Sequence, residues 1–169
     1  MKRFVLGGLI LTGIPACSDE ALPTGTSVVP TAATAEQRFA VRLLFPRFEA
    51  AAHAINEAGA VVGHFYGPTR PLGHAFLWRP GIGVRDLGTL GGPGSLATDI
   101  NDRTEVVGSS HIPSLRDRAF LWSEDRGMRS LGTLGGNSSV ANAINNRREV
   151  VGYSAIWSGR VRAFLWRPG

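Results

Sequence analysis

Several separate blocks of this sequence recur in one register every 44 to 45 residues. Ala-Phe-Leu-Trp stands at residues 75–78, 119–122 and 163–166. Val-Val-Gly stands at 61–63, 106–108 and 150–152, and Ile-Asn at 55–56, 100–101 and 144–145. Leu-Gly-Thr-Leu-Gly-Gly occupies 87–92 and 131–136. Blocks that keep one register mark a repeat architecture, in which each unit buries its apolar face only against its neighbours. Such chains usually bind or scaffold, and the repeated residues mostly report packing.

Within one unit the pattern reads as strands. In the second unit, residues 96–100 alternate small or apolar with polar side chains. Residues 101–104, Asn-Asp-Arg-Thr, form a turn, because Asn bonds its own backbone and tolerates left-handed φ. Residues 105–109 return as the second strand of a hairpin. Residues 118–122 form the third strand, and after Arg118 they are apolar, as in a strand covered on both faces, with Phe120 and Trp122 pointing one way and Ala119 and Leu121 the other. A glycine-containing turn at 124–127 leads to a fourth strand at 128–134. Four short strands in about 44 residues match a propeller blade. The expectation is an all-β, propeller-like array of about three four-stranded units, near 50–94, 95–138 and 139–169. Residues 38–45 fall where a fourth strand would lie, able to complete the third unit. Three units close a ring poorly, since propellers have about four to eight blades. The array is therefore expected to be incomplete, or completed when exposed edge strands draw two copies into a homodimer.

The first 17 residues carry a different signal. Met-Lys-Arg precedes an apolar stretch over 4–14, which is shorter than the about 20 residues of a membrane-spanning helix. Ile14-Pro15-Ala16-Cys17 then ends the segment with the chain's single cysteine. This segment resembles a bacterial lipoprotein signal peptide. The resemblance implies lipidation at Cys17, and Ser18 after it implies the outer membrane. The alternative is an ordinary secretory signal cut near Ala16, giving an extracellular protein. Residues 18–37, rich in Pro, Thr, Ser and Ala, read as a flexible tether.

The ordered blocks Ile-Asn-x-x-Gly-x-Val-Val-Gly, His74-Ala75-Phe76 with Leu-Trp, and Asp-Leu-Gly-Thr-Leu-Gly-Gly resemble the bacterial HAF extracellular repeat over residues 50–169. Arg118 and Arg162 stand where the first unit has His74. The resemblance implies a propeller-like fold outside the cell, and no activity.

Chemistry is sparse. The four histidines form no metal-ligand pair, and His74 reads as a polar strand-edge residue. No Gly-x-Ser-x-Gly elbow occurs, and the only lysine is Lys2. Residues 99–102 hint at calcium ligands but lack the glycine and distal Glu of an EF-hand loop. No metal or cofactor is expected. Net charge is +5, but the arginines scatter over the repeat instead of lining one stripe, so nucleic acid is not an expected partner. The connections between second and third strands differ in all three units and mix aromatics with arginine. They mark Tyr66, Arg70, His111, Arg116, Tyr153 and Trp157 as candidate ligand-binding residues. The expected function is a non-catalytic, lipid-anchored envelope module that binds protein or glycan. One alternative is a carbohydrate-active enzyme using Asp86, Asp99, Glu105 or Glu149. The other is a fragment of a longer repeat protein.

Overall fold

The computed structural model describes residues 40–169. Cys17, the leader and the tether lie outside the described residues. Residues 43–169 form one compact unit, and of the other, Met1–Arg42, only 40–42 are described.

The chain is all-β, with three antiparallel sheets in chain order. The first is β1 (Ala50–Ile55), β2 (Val61–Gly67), β3 (Arg70–Arg79) and β4 (Gly83–Gly88). The second is β5 (Ser95–Ile100), β6 (Val106–His111), β7 (Asp117–Ser123) and β8 (Gly127–Gly132). The third holds β9 (Gly135–Ile144), β10 (Val150–Ile156) and β11 (Val161–Trp166). Each is a simple meander, with sequential strands paired.

The expected fourth strand from residues 38–45 does not form over residues 40–45, the part of it that is described. Among the described residues no strand precedes Ala50, and the third sheet has three strands. Pro46 offers no backbone donor to a ladder. Phe45 instead stacks on Phe65 with ring centroids 5.6 Å apart and meets Phe76 edge-on at 4.6 Å. It covers the outer face of the first sheet.

The core lies between sheets, not within them. At the first junction Ala60, Val62, Ala75 and Leu77 of the first sheet's side meet Ala97, Ile100, Val106, Phe120 and Trp122 of the second. At the second, Val107 and Ala119 meet Ala141, Ile144 and Val150. This explains the repeated Val-Val: Val106 and Val107 are both fully buried, one at each junction, because successive strand residues face opposite ways. It also explains the unbroken apolar run of β7, whose Phe120 and Trp122 serve one junction and Ala119 the other. Each fully buried large apolar side chain contributes about 1.5–3 kcal/mol.

The glycine after the valines has its own cause. The first hairpin of each sheet carries a bulge, at Ala52/Ala54 and again at Ala97/Asp99. A Cβ on Gly63 or Gly108 would fall on the carbonyl oxygen of Ala51 or Leu96 across that bulge. The bulged residue is also used. His53 Nδ1 donates to Ala97 O at 2.8 Å, and Thr98 Oγ1 to Ala141 O at 2.9 Å, each stitching one sheet to the next.

Two further devices repeat at the junctions. Ser95 Oγ accepts from Ala75 N at 2.9 Å and donates to Gly88 O at 2.6 Å. Ser139 Oγ does the same with Ala119 N at 3.0 Å and Gly132 O. The Ile-Asn turns stack as a ladder: Asn56 Nδ2 donates to Asn101 O, and Asn101 Nδ2 to Asn145 O, both at 3.1 Å. Within each turn the Asn Oδ1 accepts backbone amides, and the fourth residue is left-handed: Gly59, Thr104 and Arg148 have φ of 73°, 61° and 65°.

Candidate functional site

Of the six candidate residues, only Arg116 and Trp157 line a common groove among the described residues. Tyr66, Arg70, His111 and Tyr153 lie in strands, because the connections are tighter than expected. In the second and third sheets they are closed turns, with Ile112 N bonding Arg116 O at 3.0 Å and Ile156 N bonding Arg160 O at 2.9 Å. Arg70 is tied to Asp86 at 2.9 Å and lies over the Phe65 ring at 5.4 Å. Tyr66 meets His64 edge-on, with centroids 5.1 Å apart. His111 faces Asp117 at 3.6 Å. Tyr153 stands exposed on the face of the third sheet.

Arg116 and Trp157 come together. They flank a groove of about 330 Å³ whose floor is Gly135, Gly136 and Asn137, the link from the second sheet to the third. Trp157 is 91 % exposed, whereas Trp78, Trp122 and Trp166 are buried or half-buried. Its ring lies against Gly135, where an added Cβ would come within 2.8 Å of the indole Cδ1. Gly135 is left-handed at φ 92° and Gly136 runs against the backbone of Ala155. Thr133 Oγ1 holds the bend by accepting from Gly135 N at 3.3 Å and donating to Gly136 O at 3.0 Å. The repeated glycines are thus junction bends, as read from the sequence, and here they also floor a groove. At the first junction Pro113 takes the place of Trp157 and closes over Gly91. Asn137 O accepts from Arg118 at 2.6 Å. Among the described residues Arg116 makes no ion pair, which leaves its guanidinium free for a ligand.

A second groove, of about 300 Å³, runs along the three Ile-Asn turns. Its polar groups already satisfy one another through the asparagine ladder and through Asp102, whose side chain takes Glu57 N at 3.1 Å and Asn146 Nδ2 at 2.7 Å. These bonds hold the Asp102 carboxyl below its ordinary range, the Asn146 contact contributing most. They leave little for a ligand to gain.

The carboxylates considered for catalysis are each engaged. Asp86 accepts from Arg70, from His74 at 3.1 Å and from Gly88 N at 2.8 Å. Asp99 accepts from Ile144 N at 2.8 Å across the second junction. Glu105 is buried beneath Arg148 and Asn101. Burial pushes its proton affinity up, but the Arg148 and Asn101 hydrogen bonds and the nearby arginine charges outweigh this, so the carboxyl lies below its usual value. Glu149 is held low by Asn145 and Arg147, and Arg167 meets it at 3.0 Å. Among the described residues no group of three His, Cys, Asp or Glu side chains could hold a metal ion.

The chain matches no protein-family model, no curated protein and no solved structure. The likeness to the HAF repeat therefore rests on the ordered motifs alone.

Proposed function

We propose that this chain is a non-catalytic cell-envelope module that binds a glycan in the groove between Arg116 and Trp157. The observation that carries the reading is the 91 % exposed indole beside an unpaired guanidinium over a groove of about 330 Å³. A broad indole face stacks on the C–H face of a sugar ring, and guanidinium and amide groups beside it supply directional hydrogen bonds to hydroxyls. The carboxylates that a carbohydrate-active enzyme would need are engaged in holding turns and junctions, which supports binding over catalysis. The three stacked meanders are read as part of a propeller-like array, with the Ile-Asn ladder along one end. Cys17 is proposed to carry the lipid that tethers the module to the envelope.

The test is a titration of the full chain with neutral and acidic oligosaccharides, followed by tryptophan fluorescence. At least one sugar is expected to give a saturable change that Trp157→Ala abolishes and Arg116→Ala weakens about tenfold or more. Asp86→Asn should leave it intact. A panel without response, or a response that survives Trp157→Ala, would sink the reading. For the anchor, labelled fatty acid should enter the wild type and not Cys17→Ser; equal labelling would refute it.

A further inference from the structure

The third sheet exposes a face that the first two sheets bury. Val62 pairs with Leu77 and Val107 with Leu121 across the ladder, and Val151 pairs with Leu165 at the same register. Val62, Leu77 and Val107 are fully buried under the next sheet, while Val151 is 45 % and Leu165 52 % exposed. The first sheet shows the opposite half of the same contact. Ile100 and Ile144, which press on the preceding sheet, are 5 % and 8 % exposed, but the equivalent Ile55 is 68 % exposed. Ala97 and Ala141 are fully buried, and the equivalent Ala52 is exposed.

We infer that these two faces are halves of one interface, and that the open face of the third sheet takes the first sheet of a second copy of this chain. The occupant is specified by continuity with the two junctions inside the chain. Asn145 is positioned to continue the ladder by donating to the partner copy's carbonyl at position 56, as Asn101 donates to Asn145 O. Asn142 stands where His53 and Thr98 reach the next sheet's alanine carbonyl. Arg162 stands where Arg118 reaches the carbonyl of Asn137, and both arginines already bond the carbonyl of the residue before them at 3.0 Å. The position facing Arg162 in a docked copy is Phe48, followed by Glu49, so charge is matched as well. Phe45 sits at the position of Leu90, which packs into the first junction. One bond is missing: Ala50 replaces the junction serine, so this contact lacks the Ser-to-amide link and is weaker than the internal ones.

The contact is head-to-tail, so it predicts complementation that an edge-to-edge, symmetric dimer does not. Sedimentation of the full chain should show a species of at least twice 18.0 kDa. Val151→Arg, on the open face, and Ile55→Glu, on the first sheet, should each weaken association about tenfold or more. Both sites are solvent-exposed in one copy, so circular dichroism should stay unchanged. Mixing the two variants should restore a two-copy species, because each supplies the half that the other lacks. A wild type that stays monomeric at every concentration would overturn the proposal. So would variants that associate like wild type, as edge pairing or a different docking face predicts, or a mixture that stays monomeric.

Discussion

The first and second junctions use equivalent serines, equivalent rungs of the asparagine ladder and equivalent bulges, yet they are filled differently. The first is mostly apolar and larger, with Phe120 and Trp122 packed on Val62 and Leu77. The second has a smaller apolar core, and its neighbouring turns are joined by Arg148 and Glu105. At the corresponding place in the first junction stand Thr104 and Ala60, which carry no charge. The first junction has its charges at the rim, where Arg85 lies over Trp122 at 5.0 Å and reaches Glu124 at 2.6 Å. The repeated positions therefore set the register, and the varied positions set how each junction is stabilised. The same division applies at the glycine bends: Pro113 closes over Gly91, whereas Trp157 at the equivalent position stands exposed beside Gly135.

The largest expected effect concerns the apolar filling. Phe120→Ala at the first junction should cost about 3–5 kcal/mol in urea unfolding. Phe164→Ala, its half-buried counterpart, should cost about 1–2 kcal/mol, because less of the ring leaves a cavity. Equal costs would mean that the two junctions bury their phenylalanines alike. Next comes the ion pair. Arg148→Met should cost about 2 kcal/mol, since it leaves the buried Glu105 carboxylate with fewer charged partners. Because folding lowers the Glu105 proton affinity, its contribution is present above the ordinary carboxylate value of about 4.3 and is lost as pH falls through the lower folded value. The acid-side slope of stability should therefore flatten in Arg148→Met, and an unchanged slope would place that dependence elsewhere.

Smaller still are the serines. Ser95→Ala and Ser139→Ala should each cost about 1–2 kcal/mol and agree within about 0.5 kcal/mol, because both bridge the same two backbone groups. A clear difference would mean that the two serine bridges are not equivalent. The smallest effect is His64, which stands where the second sheet has Ser109. Burial, and then the neighbouring His53, lower its proton affinity. Its contribution is therefore present above about pH 6.5 and lost as pH falls through the lower folded value. His64→Phe should remove that part of the pH dependence of unfolding, and if the curve does not change, the group is not coupled to folding.

Much of this was legible in the sequence because a repeat states its packing several times over. The alternation of Phe120 and Trp122 against Ala119 and Leu121 fixed which side chains share a face, and the Ile-Asn turns announced the hairpins. Other parts were not legible because they depend on proximity between units. Nothing local distinguishes Ser95 from a surface serine, although Ser139 standing 44 residues later was a usable signal. Gly63 and Gly108 are required by a carbonyl across a bulge, which no spacing rule reveals. The apolar run before Ala50 looked like a strand, but Phe45 is spent on aromatic packing. Varied connections drew attention to six residues, and only the folded chain shows that two of them, Arg116 and Trp157, share a groove.

The stacking of the sheets in register builds both the junctions and the Arg116–Trp157 groove. Amide hydrogen exchange at three equivalent alanines tests it most directly, at a dilution where single copies prevail. Ala75 and Ala119 donate to the junction serines and should exchange orders of magnitude more slowly than loop amides. Ala163, exposed on the edge strand β11, should exchange fast. Fast exchange at Ala75 and Ala119, or protection at Ala163 equal to theirs, would contradict the stacking and the groove with it.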